Sequence, residues 1–190
     1  NTAHELGHKT TKSERWLAQT LLHSVSYGHF FIEHNQGHHV NVATPNDPAT
    51  SRLNENLYRF YLRTVRGGYL SAWKLERARL DRRKQSKLGR HNRMLWYAFW
   101  PLTLSITMGA LGWLTKGEFA WIGVGFFFVQ SVFAFTLLEV VNYIEHYGLQ
   151  RKEIAPGKYE KTTEVHSWNA NEVLTNAFLF QLQRHSDHHA

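Results

Sequence analysis

Histidines carry the chemistry open to this sequence. His4 and His8 stand four residues apart, so on a helix both rings project from one face and can hold one ion. His34, His38 and His39 form H-x3-H-H, and His185, His188 and His189 form H-x2-H-H, the latter again on one helical face. His146 stands apart, within Asn142-Tyr143-Ile144-Glu145-His146-Tyr147-Gly148. Nine imidazoles exceed the about four to six ligands that one transition metal uses. Two metals sharing them, with positions left for oxygen or water, fit the count. Each group also carries an acid beside a histidine: Glu5, Glu33, Glu145 and Asp187. Such a carboxylate can accept the second ring N–H and fix the tautomer, or one of them can bridge the metals. Glu139 and Asn142 share a helix face with His146 and form a further polar pair beside an apolar stretch. Of the other histidines, His23 and His91 read as structural or surface residues. His29 and His166 lie nearer the motifs and are candidates to support the ligands.

The donor set narrows the metal. Cysteine is absent, which excludes disulfides, thiolate sites and iron–sulfur clusters, so nitrogen and oxygen must hold any ion. His4-Glu5-Leu6-Gly7-His8 is a literal H-E-x-x-H, the zinc-peptidase pattern with glutamate as general base. However, Thr11 and Glu14 stand where an extended peptidase motif has Gly and His, and a one-zinc enzyme has no use for the other clusters. Imidazole-rich sites with open positions suit iron and dioxygen, though imidazole also binds zinc, copper and nickel. Two irons beside an apolar channel could attack an unactivated C–H bond. A protein that only stores or senses metal would bind it without consuming O2.

The elements that must position these groups belong to a membrane protein. Leu95–Leu114 and Phe119–Leu138 are uncharged runs of twenty residues, each long enough to cross a bilayer as a helix. Lys116-Gly117-Glu118 joins them in a short turn, giving a transmembrane hairpin. The net charge of +7 suggests nucleic acid less than a membrane flank. Its excess lies between Arg59 and Arg93, directly before the first span, where the positive-inside rule puts both flanks in the cytoplasm. All histidine groups then share one side. Trp16–Ile32 reads as a shallow or re-entrant helix with Ser13 as N-cap. Asn54–Arg83 reads as amphipathic surface helices broken at Gly67-Gly68, and 154–168 as a loop around Pro156-Gly157. Helix should resume near Asn171 and run to the last histidines. The expected fold is all-α: a multi-pass transmembrane helical bundle with a cytoplasmic histidine-rich di-iron site. The expected organisation is one catalytic unit. It comprises 1–53 with the first two histidine groups, the basic segment 54–93, the hairpin 95–138 and the last motifs in 139–190. The chain starts without Met, three residues before a motif, and is expected to be a fragment whose earlier spans lie outside it.

Four segments carry a family resemblance. These are His4-Glu5-Leu6-Gly7-His8-Lys9, Glu33-His34-Asn35-Gln36-Gly37-His38-His39 running into Val42–Ala49, Asn142–Leu149, and Leu182-Gln183-Arg184-His185-Ser186-Asp187-His188-His189-Ala190. They resemble the bacterial integral-membrane alkane hydroxylases, alkane 1-monooxygenases of the membrane fatty acid desaturase/hydroxylase superfamily. The histidine boxes alone are shared with membrane desaturases and aryl-methyl monooxygenases; the His146 motif and Val42–Ala49 single out the alkane enzymes. The resemblance implies a non-haem site of two iron ions ligated by His4, His8, His34, His38, His39, His146, His185, His188 and His189. It implies terminal hydroxylation of medium-chain n-alkanes to 1-alkanols with O2, a rubredoxin electron donor, and a place in the bacterial inner (cytoplasmic) membrane. It also implies a six-span fold of which this chain would hold the last two spans and part of an earlier one. The basic segment is then a candidate docking face for an acidic donor.

Overall fold

A computed structural model describes residues 2–170 and 172. The described residues are mostly helical. Its elements are α1 (Thr2–Gly7), α2 (Lys12–His23), α3 (Phe30–Glu33), a π-turn (His34–His38), α4 (His39–Asn41), α5 (Leu57–Arg82), α6 (Arg93–Ala110), α7 (Gly112–Lys116) and α8 (Trp121–Glu145). A two-stranded hairpin follows, β1 (Glu153–Ala155) with β2 (Lys158–Tyr159), and then a 3-10 turn (Glu164–His166).

Two helices are long and apolar enough to cross a membrane, Arg93–Thr115 and Trp121–Glu145. Their packing is inside out. The residues that α8 buries are mainly polar (Ser131, Glu139, Asn142, Glu145), whereas Ile122, Phe126, Val132, Phe133 and Leu137 are exposed. Only 17% of its most apolar stretch is buried, which a helix in a water-soluble core would not tolerate. The hairpin closes on small residues: the Gly109 carbonyl accepts from Ala120 N at 2.9 Å, and a Cβ on Gly123 would sit 2.6 Å from the Met108 oxygen.

The expected re-entrant segment is two helices, not one. α2 ends at His23, Ser26 turns the chain at φ 54°, and α3 brings it back. The turn reaches the middle of α8, where Gln130 Nε2 donates to the Ser24 carbonyl at 2.7 Å and Ser26 Oγ lies 3.3 Å from Ser131 Oγ. At 1.5 Å per residue, that level is about 20 Å from the Glu145 end of α8. The N-cap of α2 is Thr11 rather than Ser13, and its hydroxyl donates to Glu14.

α5 runs unbroken through Gly67-Gly68, against the expected break. Gly67 serves packing, because a Cβ there would lie 2.8 Å from Pro48 Cβ, whereas one on Gly68 would meet Glu33 Cγ at an ordinary 3.9 Å. Asn56 caps α5 by accepting from Arg59 N at 3.0 Å, and Asn92 caps α6 by accepting from Met94 N at 2.9 Å. Between them the fully buried Glu76 takes both Arg79 and Arg93 at 2.6 Å, fixing the angle at which the basic helix meets the apolar one. The expected loop around Pro156-Gly157 is the turn of the β-hairpin, with Gly157 at φ 72°. Arg151 ties this hairpin to the second histidine motif, donating from N to the Ala43 carbonyl at 2.7 Å and from Nη1 to the Val40 carbonyl at 3.0 Å. The helix expected from Asn171 onward lies outside the described residues.

Candidate metal centre

Six of the nine expected ligands fall within the described residues, and they form one cluster. α1 presents His4 and His8 from one face, with ring centroids 5.0 Å apart. His34 packs 4.5 Å from His4 and 5.0 Å from His8, and ligand nitrogens of these three lie within 4.8 Å of one another. His39 joins at 4.7 Å from His8, and His38 at 5.2 Å from His34. His146, just beyond α8, completes the chain of rings at 4.8 Å from His38. His185, His188, His189 and Asp187 lie outside the described residues.

The π-turn makes H-x3-H-H work. In an α-helix residues five apart point about 140° away from each other. Here the His39 N–H bonds the His34 carbonyl five residues back, which widens the turn and swings His39 onto the face of His34. The two Nε2 atoms consequently approach to 3.1 Å, and those of His34 and His8 to 3.0 Å. Gly37 sits inside the turn because a Cβ there would lie 2.5 Å from Glu33 Oε1.

These nitrogens fit a metal. Two ligand nitrogens each about 2.1 Å from one ion, and at right angles, lie about 3 Å apart. Protonation agrees. Burial lowers His4 and, together with repulsion among neighbouring rings, holds His8 at about 4 and His34 well below its ordinary value. All three are therefore neutral at pH 7, the form that ligates metal.

His38 has a different partner. Burial works against its charged form, yet the charge and hydrogen bond of Asp47 outweigh that and raise it. Asp47 is fully enclosed: Oδ2 takes His38 Nδ1 at 2.8 Å and the Thr50 hydroxyl at 2.5 Å, and Oδ1 takes Ala49 N at 3.0 Å. The sequence reading missed Asp47; its only signal was an acid in the Val42–Ala49 segment. The acids that the reading did name divide. Glu5 accepts from His4 Nδ1 at 3.1 Å, as expected of a carboxylate beside a ligand. Glu33 is buried against the π-turn, and burial pushes it up to about 8; its Oε1 has no hydrogen-bond partner among the described residues. Glu145 is buried at the end of α8. Glu139 and Asn142 bond each other at 3.3 Å, and Glu139 also accepts from Tyr27 Oη at 2.6 Å and Thr64 Oγ1 at 2.9 Å. That network flanks a void of about 10 Å³ beside His34, room for one water at most. Tyr27 and Thr64 carried no sequence signal.

The supporting histidines also differ. His29 is enclosed between Tyr27 and Tyr69, with ring centroids at 4.5 and 5.3 Å. His166 acts through its backbone: His146 Nδ1 lies 3.4 Å from both its carbonyl and Ser167 Oγ, an arrangement that orients the His146 ring. His91 is exposed, as read; His23 packs on Tyr97 at 5.4 Å.

The chain is similar to named proteins along its whole length. Alkane 1-monooxygenase 2 of Alcanivorax borkumensis is 45% identical over 190 residues, which is 100% of this chain and 48% of the relative. Alkane 1-monooxygenase 2 of Pseudomonas aeruginosa is 48% identical over 189 residues, 99% of this chain and 48% of the relative. The hydroxylase component of a xylene/toluene monooxygenase from Pseudomonas putida is 26% identical over 187 residues, 98% of this chain and 47% of the relative. The chain spans about half the length of these curated relatives. The profile of the fatty acid desaturase family matches residues 1–190, so every motif described above falls within it, and the chain belongs to that family.

Proposed function

We propose that this chain carries the metal centre of a membrane monooxygenase that hydroxylates the terminal carbon of medium-chain n-alkanes, using two iron ions, O2 and a rubredoxin-type donor. The observation that carries the reading is one convergent imidazole cluster at the end of a lipid-facing helical hairpin. His4, His8, His34, His38, His39 and His146, with His185, His188 and His189, would hold the irons. When bound, the irons supply dioxygen activation and the oxidation of a C–H bond.

The chain's own residues supply position and dryness. A cavity of about 270 Å³ opens between α2 and α8, lined by Leu22, Val25, Ala134, Phe135 and Leu138, with His4 and Phe30 at its inner end. An alkane arriving from the bilayer can lie there with its terminus beside the cluster. Phe30 stacks on His34 at 4.6 Å and closes that wall to water. Asp47 holds the proton of His38 on Nδ1, which leaves Nε2 its lone pair for metal. The two apolar helices support a multi-pass bundle in the inner membrane, and the basic flank before α6 supports a cytoplasmic placement of the site. On α5 and the segment after it, Arg59, Arg66, Lys74, Arg77, Arg82 and Lys84 are exposed and offer an acidic donor a docking face. The H-E-x-x-H peptidase reading finds less support, because Glu5 is engaged with His4 and histidines of another motif crowd the same ion site.

The test uses the full-length parent protein in detergent. Elemental analysis should give two irons per chain, falling in a His34→Ala, His39→Ala variant, and n-octane with O2 and reduced donor should yield 1-octanol. Zinc in place of iron, unchanged in the variant, refutes the reading. A double bond in a fatty acyl chain, or benzylic alcohol from xylene but no alkanol, assigns the centre to a desaturase or an aryl-methyl monooxygenase.

A further inference from the structure

A second, larger cavity lies away from the histidines. It occupies about 420 Å³ between one face of α2 (Trp16, Gln19, Thr20, His23) and one face of α6 (Arg93, Trp96, Tyr97, Trp100, Leu104). Both sets follow helical spacing, so the space is a groove between two helices that touch at only a few points. The helices run side by side in the same direction: Tyr97 Oη donates to Gln19 Oε1 at 3.2 Å, and one turn further His23 faces Trp100 at 6.5 Å.

The groove is graded in polarity along that direction. At its start, Tyr97 lies in the field of three guanidiniums, Arg15, Arg79 and Arg93. Glu76 pairs with Arg79 and Arg93, so these three guanidiniums and that carboxylate together leave two positive charges in excess. At its far end are Trp100 and Leu104, about two and three turns into a helix long and apolar enough to span a bilayer. Tryptophans gather where such helices enter the headgroup layer, and basic pockets between membrane helices attract anionic lipid headgroups. A phosphate ester followed by a hydrocarbon chain has the same order as the groove: charge first, then apolar length.

We propose that this groove binds one anionic phospholipid of the surrounding bilayer, with its headgroup at Arg15 and Arg93 and an acyl chain along Trp96, Trp100 and Leu104. The lipid would fill the space between α2 and α6 and so hold the re-entrant pair α2–α3, which carries His34 at its inner end. The site rests on α6 spanning the membrane and is independent of which reaction the metal centre performs.

The test uses the full-length parent protein in vesicles, with tryptophan fluorescence quenched by acyl-brominated lipids. Brominated phosphatidylglycerol should associate more tightly than brominated phosphatidylcholine, by about 30-fold if both excess charges act on the headgroup. Arg15→Gln should cut that preference about fivefold, by the loss of one charge. Thr20→Phe fills the groove without changing any charge, and should abolish the preference while the protein stays folded and keeps its metal. A preference that survives Thr20→Phe overturns the proposal, because it then belongs to the basic surface at large. Equal quenching by both lipids in the wild type also overturns it, as does displacement of the bound lipid by millimolar inorganic phosphate, which would make the site one for a free anion.

Discussion

Replacing Asp47 by Asn tests how the centre is built, because it removes one acceptor and changes almost no volume. The carboxylate uses both oxygens: Oδ2 serves His38 Nδ1 and Thr50 Oγ1, and Oδ1 serves Ala49 N. An asparagine has one acceptor oxygen and so can face only one side. If its oxygen stays with Ala49, its NH2 meets His38 Nδ1 and drives the ring proton to Nε2, removing the lone pair that a metal needs. If it faces His38, the buried Ala49 N–H loses its partner, at about 1–3 kcal/mol. Partners of this kind are worth about 10–100-fold in metal affinity, or about 1.4–2.7 kcal/mol. The assay is iron retention by the full-length protein against a graded chelator, with thermal unfolding measured on the same samples. Asp47→Asn should lose iron at a chelator concentration about 10–100-fold lower than wild type, while Asp47→Glu should recover part of the loss. Unchanged iron retention together with unchanged thermal unfolding would refute the role given to Asp47 and the tautomer assigned to His38.

Three further outcomes follow from the same geometry. Gly37→Ala places a methyl 2.5 Å from Glu33 Oε1 in the π-turn and should cost about 1–3 kcal/mol in stability together with iron; normal metal content would show that the turn is not needed to align His39. Burial pushes Glu76 up, but Arg79 and Arg93 outweigh it and hold the carboxyl at about 2, below its ordinary 4.5. Its stabilisation is therefore complete above pH 4.5 and lost as pH falls toward 2. Glu76→Gln should cost about 2 kcal/mol at neutral pH, less than a fully buried pair because both arginines are partly solvated, and the difference from wild type should shrink across that window. A pH-independent difference in unfolding temperature would contradict it. Tyr27→Phe keeps the stacking on Phe135 but removes a donor from the buried Glu139, so unfolding should shift by about 1.5–3 kcal/mol; no shift would mean that Glu139 does not depend on the tyrosine.

The sequence by itself determined which side chains could hold a metal and which segments could cross a membrane. Histidine spacing is a local property, so His4 with His8 was legible as one face of a helix. An uncharged run of twenty residues has few fates other than a spanning helix, and both runs form helices long and apolar enough to cross a membrane, α8 continuing past Leu138 to Glu145. Family membership was legible for the same reason, because short motifs at fixed spacing survive without knowledge of the fold. Tertiary structure decided what depends on distant partners. Whether Gly67-Gly68 breaks a helix or lets one approach Pro48 cannot be read from two glycines, since a residue without Cβ suits either outcome. That H-x3-H-H would align all three rings required a π-turn, whose wider backbone is set by Glu33, Gly37 and the helices packed around them. Asp47, Tyr27, Thr64 and Ser167 became part of the centre only through folding, because a hydrogen bond to a buried ring or carboxylate is defined by position in space. The spacing of histidines says that metal can be held; the fold says which protons, which neighbours and which dry walls surround it.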